Sequence, residues 1–78
     1  MIQISLAAAR VNADLTQEEA AKKVGVTAKT LRGYEQGKSV APPRIFKQMA
    51  RVYEFPEELI RLPIVEDGMY DADEKILN

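Results

Sequence analysis

The sequence predicts an all-α fold, a compact bundle of five short helices. Three observations carry that expectation. The chain has 78 residues, enough for one domain with a small core. Its four prolines and four glycines fall where helices begin or end. Between them, apolar residues recur at three- and four-residue spacing, with no internal repeat and no low-complexity tract.

The first helix is expected from Ile4 to Asn12, an alanine-rich stretch with Leu6 and Arg10 one turn apart. Thr16-Gln17-Glu18-Glu19 has the capping-box pattern, in which the threonine oxygen accepts from the third helical amide and the glutamate reaches back to the cap amide. The second helix therefore starts there and runs to about Val24. Its apolar stripe of Ala20, Ala21 and Val24 is narrow and made of small residues, which lets another helix approach closely. Gly25 closes it as a left-handed residue, and Thr27 caps a new helix two positions later. Helices joined so tightly must cross steeply. The third runs from about Ala28 to Gln36, with Leu31 and Tyr34 inward, and stops at Gly37. Ser39 to Pro42 is a loop. Pro43 suits the first position of a fourth helix carrying Ile45, Phe46, Met49, Ala50 and Tyr53. Pro56 is expected to do the same for a short fifth helix, whose positive end Glu57 and Glu58 favour. Residues 63–78 form an acidic C-terminal extension, extended or partly disordered, with Ile64 and Val65 expected to pack on the fifth helix or on a partner subunit.

The formal net charge is −1, but it is divided unevenly. Residues 1–53 hold nine Lys or Arg against four acids, a difference of +5; residues 54–78 hold two against eight, a difference of −6. The local charge is what a phosphate backbone meets, so the basic part remains suited to a polyanion. Cysteine and histidine are both absent, which removes disulfides, thiolate zinc sites and the commonest general base. The reading is of a protein that is not an enzyme and has no cofactor or metal. The paired acids Glu18-Glu19, Glu57-Glu58 and Asp71/Asp73 do not alter this: helical neighbours face different ways, and the third set lacks calcium-loop spacing. The N-terminus lacks the features of a signal peptide, and the most apolar run, Leu59 to Val65, is broken by Arg61 and Pro63, so a cytoplasmic location away from membranes is expected.

The stretch from Thr16 to Lys38, with Leu15-Thr16-Gln17-Glu18 opening one helix, a small residue at Ala21, Gly25 in the turn, Thr27 as cap and Tyr34-Glu35-Gln36-Gly37-Lys38 at the end, resembles the Cro/repressor-type helix-turn-helix family, also called lambda-repressor-like or XRE-type. The resemblance spans roughly residues 4–62, the size of a five-helix lambda-repressor-like DNA-binding domain, and leaves 63–78 outside. It implies that the third helix enters the major groove of duplex DNA while the second spans the backbone and aims free amides at a phosphate. Carried over by position, Gln17 would hold a phosphate. Thr27 lies at the DNA-facing start of the helix, and Ala28, Lys29, Thr30 and Gly33 take the groove-facing positions. Arg32, Lys38 and Arg44 are phosphate candidates on the rim. The same resemblance implies a structural ion pair between Arg10 and Glu35. Because Ala28 and Gly33 lack polar side chains, direct readout would rest on Lys29, helped by Thr30 and by a thymine methyl against Ala28.

Each assignment has a plainer counterpart. Gln17 is also an ordinary first-turn residue, and Lys29 and Arg32 are also ordinary solvated helix positions. Gly33 is compatible with a close approach of some other group or with simple tolerance. Lys22 and Lys23 belong to a solvated face, and Tyr34, Phe46 and Tyr53 to the core. The function expected is a sequence-specific transcriptional regulator of the phage or prophage repressor kind, a homodimer on double-stranded DNA. The alternative is a protein-interaction module of the same fold, or an antitoxin-like autoregulator, binding a protein partner through 63–78.

Overall fold

In the computed structural model, which describes residues 2–63, the chain forms helices α1 (Leu6–Asn12), α2 (Gln17–Val24), α3 (Ala28–Gln36) and α4 (Pro43–Tyr53), with a two-stranded parallel pair of β1 (Ile4–Ser5) and β2 (Ile60–Arg61). The fold is mostly helical, with four α-helices in place of the five expected. Both differences lie where the segments around Ile4 and Ile60 come together. Ile4 and Ser5 belong to β1, in register with Ile60 and Arg61, so α1 starts two residues later than its composition suggests. Ser5 then serves as its cap, the hydroxyl accepting from the Ala8 N–H at 3.0 Å. At the other end, Pro56 is the residue before a single 3-10 turn, Glu57–Leu59, and no fifth α-helix follows. Ile60 is 4 % exposed and pairs with Ile4, which requires extended backbone immediately after that turn. The Gln3 side-chain amide reinforces the junction, donating to the Glu58 carbonyl at 3.0 Å. The expectations for 64–78, including the packing of Ile64 and Val65, lie outside the described residues.

The central helices end where local chemistry directs. Thr16 and Glu19 form the reciprocal capping box, with Glu19 N–H to Thr16 Oγ1 at 3.1 Å and Thr16 N–H to Glu19 Oε1 at 2.9 Å. The bond from the Thr16 backbone holds the Glu19 carboxyl below its usual range. Gly25 closes α2 at φ 95°, a conformation that costs an L-residue about 1–2 kcal/mol. Thr27 caps α3, accepting from the Thr30 N–H at 3.1 Å, and Gly37 ends it at φ 76°. Pro43 occupies the first turn of α4, and Glu54, at φ 55°, ends that helix. The core has Leu6 and Ala9 from α1, Ala20, Ala21 and Val24 from α2, Leu31 and Tyr34 from α3, and Met49, Ala50 and Tyr53 from α4, closed by Ala41 and Ile60. Small side chains on α2 let it lie close to both α3 and α4.

Candidate nucleic-acid interface

Burying Leu31 and Tyr34 directs the opposite face of α3 outward. Lys29, Arg32 and Gln36 are exposed on that face, one turn apart, and Thr30 and Gly33 beside them are half-buried. The loop after α3 turns back along it, so that Lys38, Ser39, Val40 and Pro42 form the facing wall of an open groove of about 710 Å³. Among the described residues, three cations, Lys29, Arg32 and Lys38, line this groove, and no acid does. The groove therefore presents concentrated positive charge beside a helix of the right width for a DNA groove.

Gly33 lies against the returning loop. Its carbonyl accepts from the Lys38 N–H at 2.9 Å, and a β-carbon there would lie 3.1 Å from the Ser39 hydroxyl. A close neighbour is therefore present, and it is the movable end of a short side chain. Ala28 is half-buried and packs against the core, so only part of its methyl faces outward. The Thr30 hydroxyl accepts from Thr27 Oγ1 at 2.9 Å and keeps its own O–H free to donate. Arg44 is exposed in the first turn of α4 and is not among the groove-lining residues.

Gln17 links this surface to the interior. Its amide donates to Glu35 Oε1 at 3.0 Å, and its oxygen accepts from Arg32 Nε at 3.3 Å. Arg10 Nε and Glu35 Oε2 stand 2.7 Å apart, with side chains 13 % and 5 % exposed. Arg10 spends another N–H on the Leu15 carbonyl at 2.8 Å. A polar chain thus runs from Arg10 in α1 through Glu35 and Gln17 to Arg32 on the outer face of α3. It fixes the side chains at the start of α2 relative to the exposed cations. Beneath it, the Tyr53 hydroxyl is buried without a hydrogen-bond partner among the described residues. Burial pushes its pKa up to about 12, and the negative charge of Glu35 adds to the shift.

The structure brings Lys29, Thr30, Arg32, Gly33 and Lys38 into one groove, joins Gln17 to it through Arg32, and leaves Thr27 and Ala28 at the leading end of α3. Gln36 and Ser39 also line the groove, beyond the residues that the sequence points to. Gln36 is recoverable from helical spacing, four residues beyond Arg32 and seven beyond Lys29. Ser39 is visible only once the loop is seen to fold back. Among the described residues, no group of three or more carboxylates stands together as a metal site, and no helix is long and apolar enough to cross a membrane.

The chain matches no curated protein and no solved structure. A family profile described as a helix-turn-helix domain matches residues 4–62, the span from the first strand to the residue after the second. With the capped α2, the left-handed Gly25 turn and the outward cationic face of α3, this match makes the chain a member of the helix-turn-helix domain family, consistent with the Cro/repressor type.

Proposed function

We propose that the chain is a sequence-specific double-stranded DNA-binding transcriptional regulator, of the phage or prophage repressor kind, acting as a homodimer. The observation that carries this reading is the outward face of α3, with Lys29, Arg32 and Lys38 in one groove that has no acid among its described lining residues. α3 lies in the major groove with its first turn against base edges. Lys29 reads guanine acceptors, Thr30 assists, and the exposed part of Ala28 meets a thymine methyl. Arg32, Lys38 and Arg44 neutralise phosphates. Gln17 holds another phosphate with its remaining amide hydrogen and the free N–H groups that open α2. One short helix buries too little DNA for strong specificity, so two subunits on half-sites a helical turn apart complete the recognition.

A salt titration tests this. With three phosphate-neutralising cations per subunit, log affinity for duplex DNA should fall against log salt with a slope of about −3 per bound subunit. Absence of duplex binding at low salt would favour the other reading, a protein-interaction module working through 63–78. That reading draws support from the apolar side chains left exposed next to this segment, Val40 at 63 % and Leu62 at 39 %.

A further inference from the structure

Two surfaces meet where the described chain ends. One is the cationic groove along α3. The other is a small cleft lined by Tyr34, Ser39, Val40, Ala41, Leu62 and Pro63, and the first three of these residues also line the groove. Pro63 therefore stands on the rim of the proposed DNA-binding face, next to exposed apolar surface from Val40 and Leu62. The residues after Pro63 have a matching order. Ile64 and Val65 come first, and then residues 66–78 carry five acids (Glu66, Asp67, Asp71, Asp73, Glu74) against Lys75, a difference of −4. An apolar pair followed by a run of negative charge complements an apolar cleft followed by a groove of positive charge.

We propose that the acidic segment 64–78 docks into the groove between α3 and the 38–42 loop of its own chain and competes there with nucleic acid, an inference that rests on that groove being the DNA-binding face. Reach does not limit it. Glu74 lies eleven residues beyond Pro63, which is up to about 35 Å of extended chain at about 3.3 Å per residue. A tether this short gives an effective concentration on the order of millimolar. Carboxylates that bind the groove with dissociation constants of roughly 0.1–0.5 mM would then occupy it most of the time. The fraction of chains able to bind DNA falls accordingly, and the apparent affinity is lowered about three- to tenfold at low salt. Salt weakens the contact, because screening at 1 M shortens the reach of charge to about 3 Å.

The chain has no cysteine, so Ala72→Cys provides one attachment point for a nitroxide without removing a charge. In the DNA-free full chain at low salt, the label should broaden the amide signals of Lys29, Arg32, Lys38 and Val40. High salt should relieve the broadening, and so should an added duplex. In the full chain with Glu66→Gln, Asp67→Asn, Asp71→Asn, Asp73→Asn and Glu74→Gln, the broadening should vanish and affinity for a random duplex should rise about three- to tenfold. Labelled chains that leave those amides unbroadened at low salt would overturn the proposal. So would tighter DNA binding by the neutralised chain without any broadening in the parent, since that is long-range repulsion alone. Broadening seen only between labelled and unlabelled chains mixed together would place the segment on a second copy and overturn the intramolecular contact. Broadening with no duplex binding by either chain would keep the docking and remove the DNA-binding reading on which the competition depends.

Discussion

Glu35→Ala removes the acceptor at the centre of the polar chain, and its cost is set by the groups left without a partner. Glu35 is 5 % exposed and receives Arg10 Nε at 2.7 Å and the Gln17 amide at 3.0 Å. Without it, a guanidinium only 13 % exposed keeps a single strong partner, the Leu15 carbonyl at 2.8 Å. Breaking a buried pair from one side costs about 3–5 kcal/mol, and the surviving carbonyl bond places this case near the lower end, about 3 kcal/mol. In a domain of this size that lowers Tm by roughly 12–24 °C. Arg10→Met with Glu35→Leu leaves no stranded charge and should be milder than Glu35→Ala alone, giving a coupling of about 2 kcal/mol in the double-mutant cycle. Thermal and denaturant unfolding at pH 7 of the parent, Arg10→Met, Glu35→Leu and the double variant measures the coupling, with Glu35→Ala alongside. Additive penalties, with coupling below about 0.5 kcal/mol, would mean that Arg10 and Glu35 do not stabilise each other.

Tyr53→Phe deletes a buried hydroxyl that has no partner, so stability at pH 7 should be unchanged or raised by about 1 kcal/mol. The same variant tests the titration of that group. Its pKa rises from 10 to about 12 on folding, so its contribution is fully present below pH 10 and is lost as pH climbs from 10 to 12. Alkaline unfolding curves of the parent should fall more steeply across that window than those of the phenylalanine variant, and identical curves would contradict the shift. Gly33→Ala places a β-carbon 3.1 Å from the Ser39 hydroxyl, the movable end of a short side chain. Gain in helix propensity should therefore outweigh the contact and stabilise by about 0.5–1 kcal/mol, whereas lower stability in urea unfolding would mean that the loop cannot yield.

The parts of this fold that sequence made legible are those set by neighbouring residues. Thr16 with Glu19, Gly25, Thr27, Gly37 and Pro43 each mark a helix end through a contact or a dihedral angle within a few positions, and the structure places those ends accordingly. The pairing of Ile4 with Ile60 has no local signature. A two-residue strand shows no alternation to detect, and its partner is more than fifty positions away. Pro56 misled for a related reason, since proline before a helix and proline within its first turn look alike in sequence, and the buried Ile60 decides between them. In the candidate site, Lys29 and Arg32 are grouped by helical spacing alone. That Gln17 bridges Glu35 and Arg32, and that Ser39 closes against Gly33, depends on tertiary placement that no local pattern encodes.

In the proposed regulator α3 reads DNA sequence, with Lys29 at the base edges and Gln17 on the backbone. Selection of bound duplexes from a random pool tests it most directly, performed with the parent chain, Lys29→Ala and Gln17→Ala. The parent should enrich an inverted repeat with half-site centres about 10 base pairs apart. Lys29→Ala should change or relax the preferred bases at matching positions of both half-sites, and Gln17→Ala should enrich the same sequence while binding all duplexes more weakly. A parent pool with no enriched sequence would mean that α3 does not read sequence, and a Lys29→Ala pool identical to the parent's would take Lys29 off the base edges.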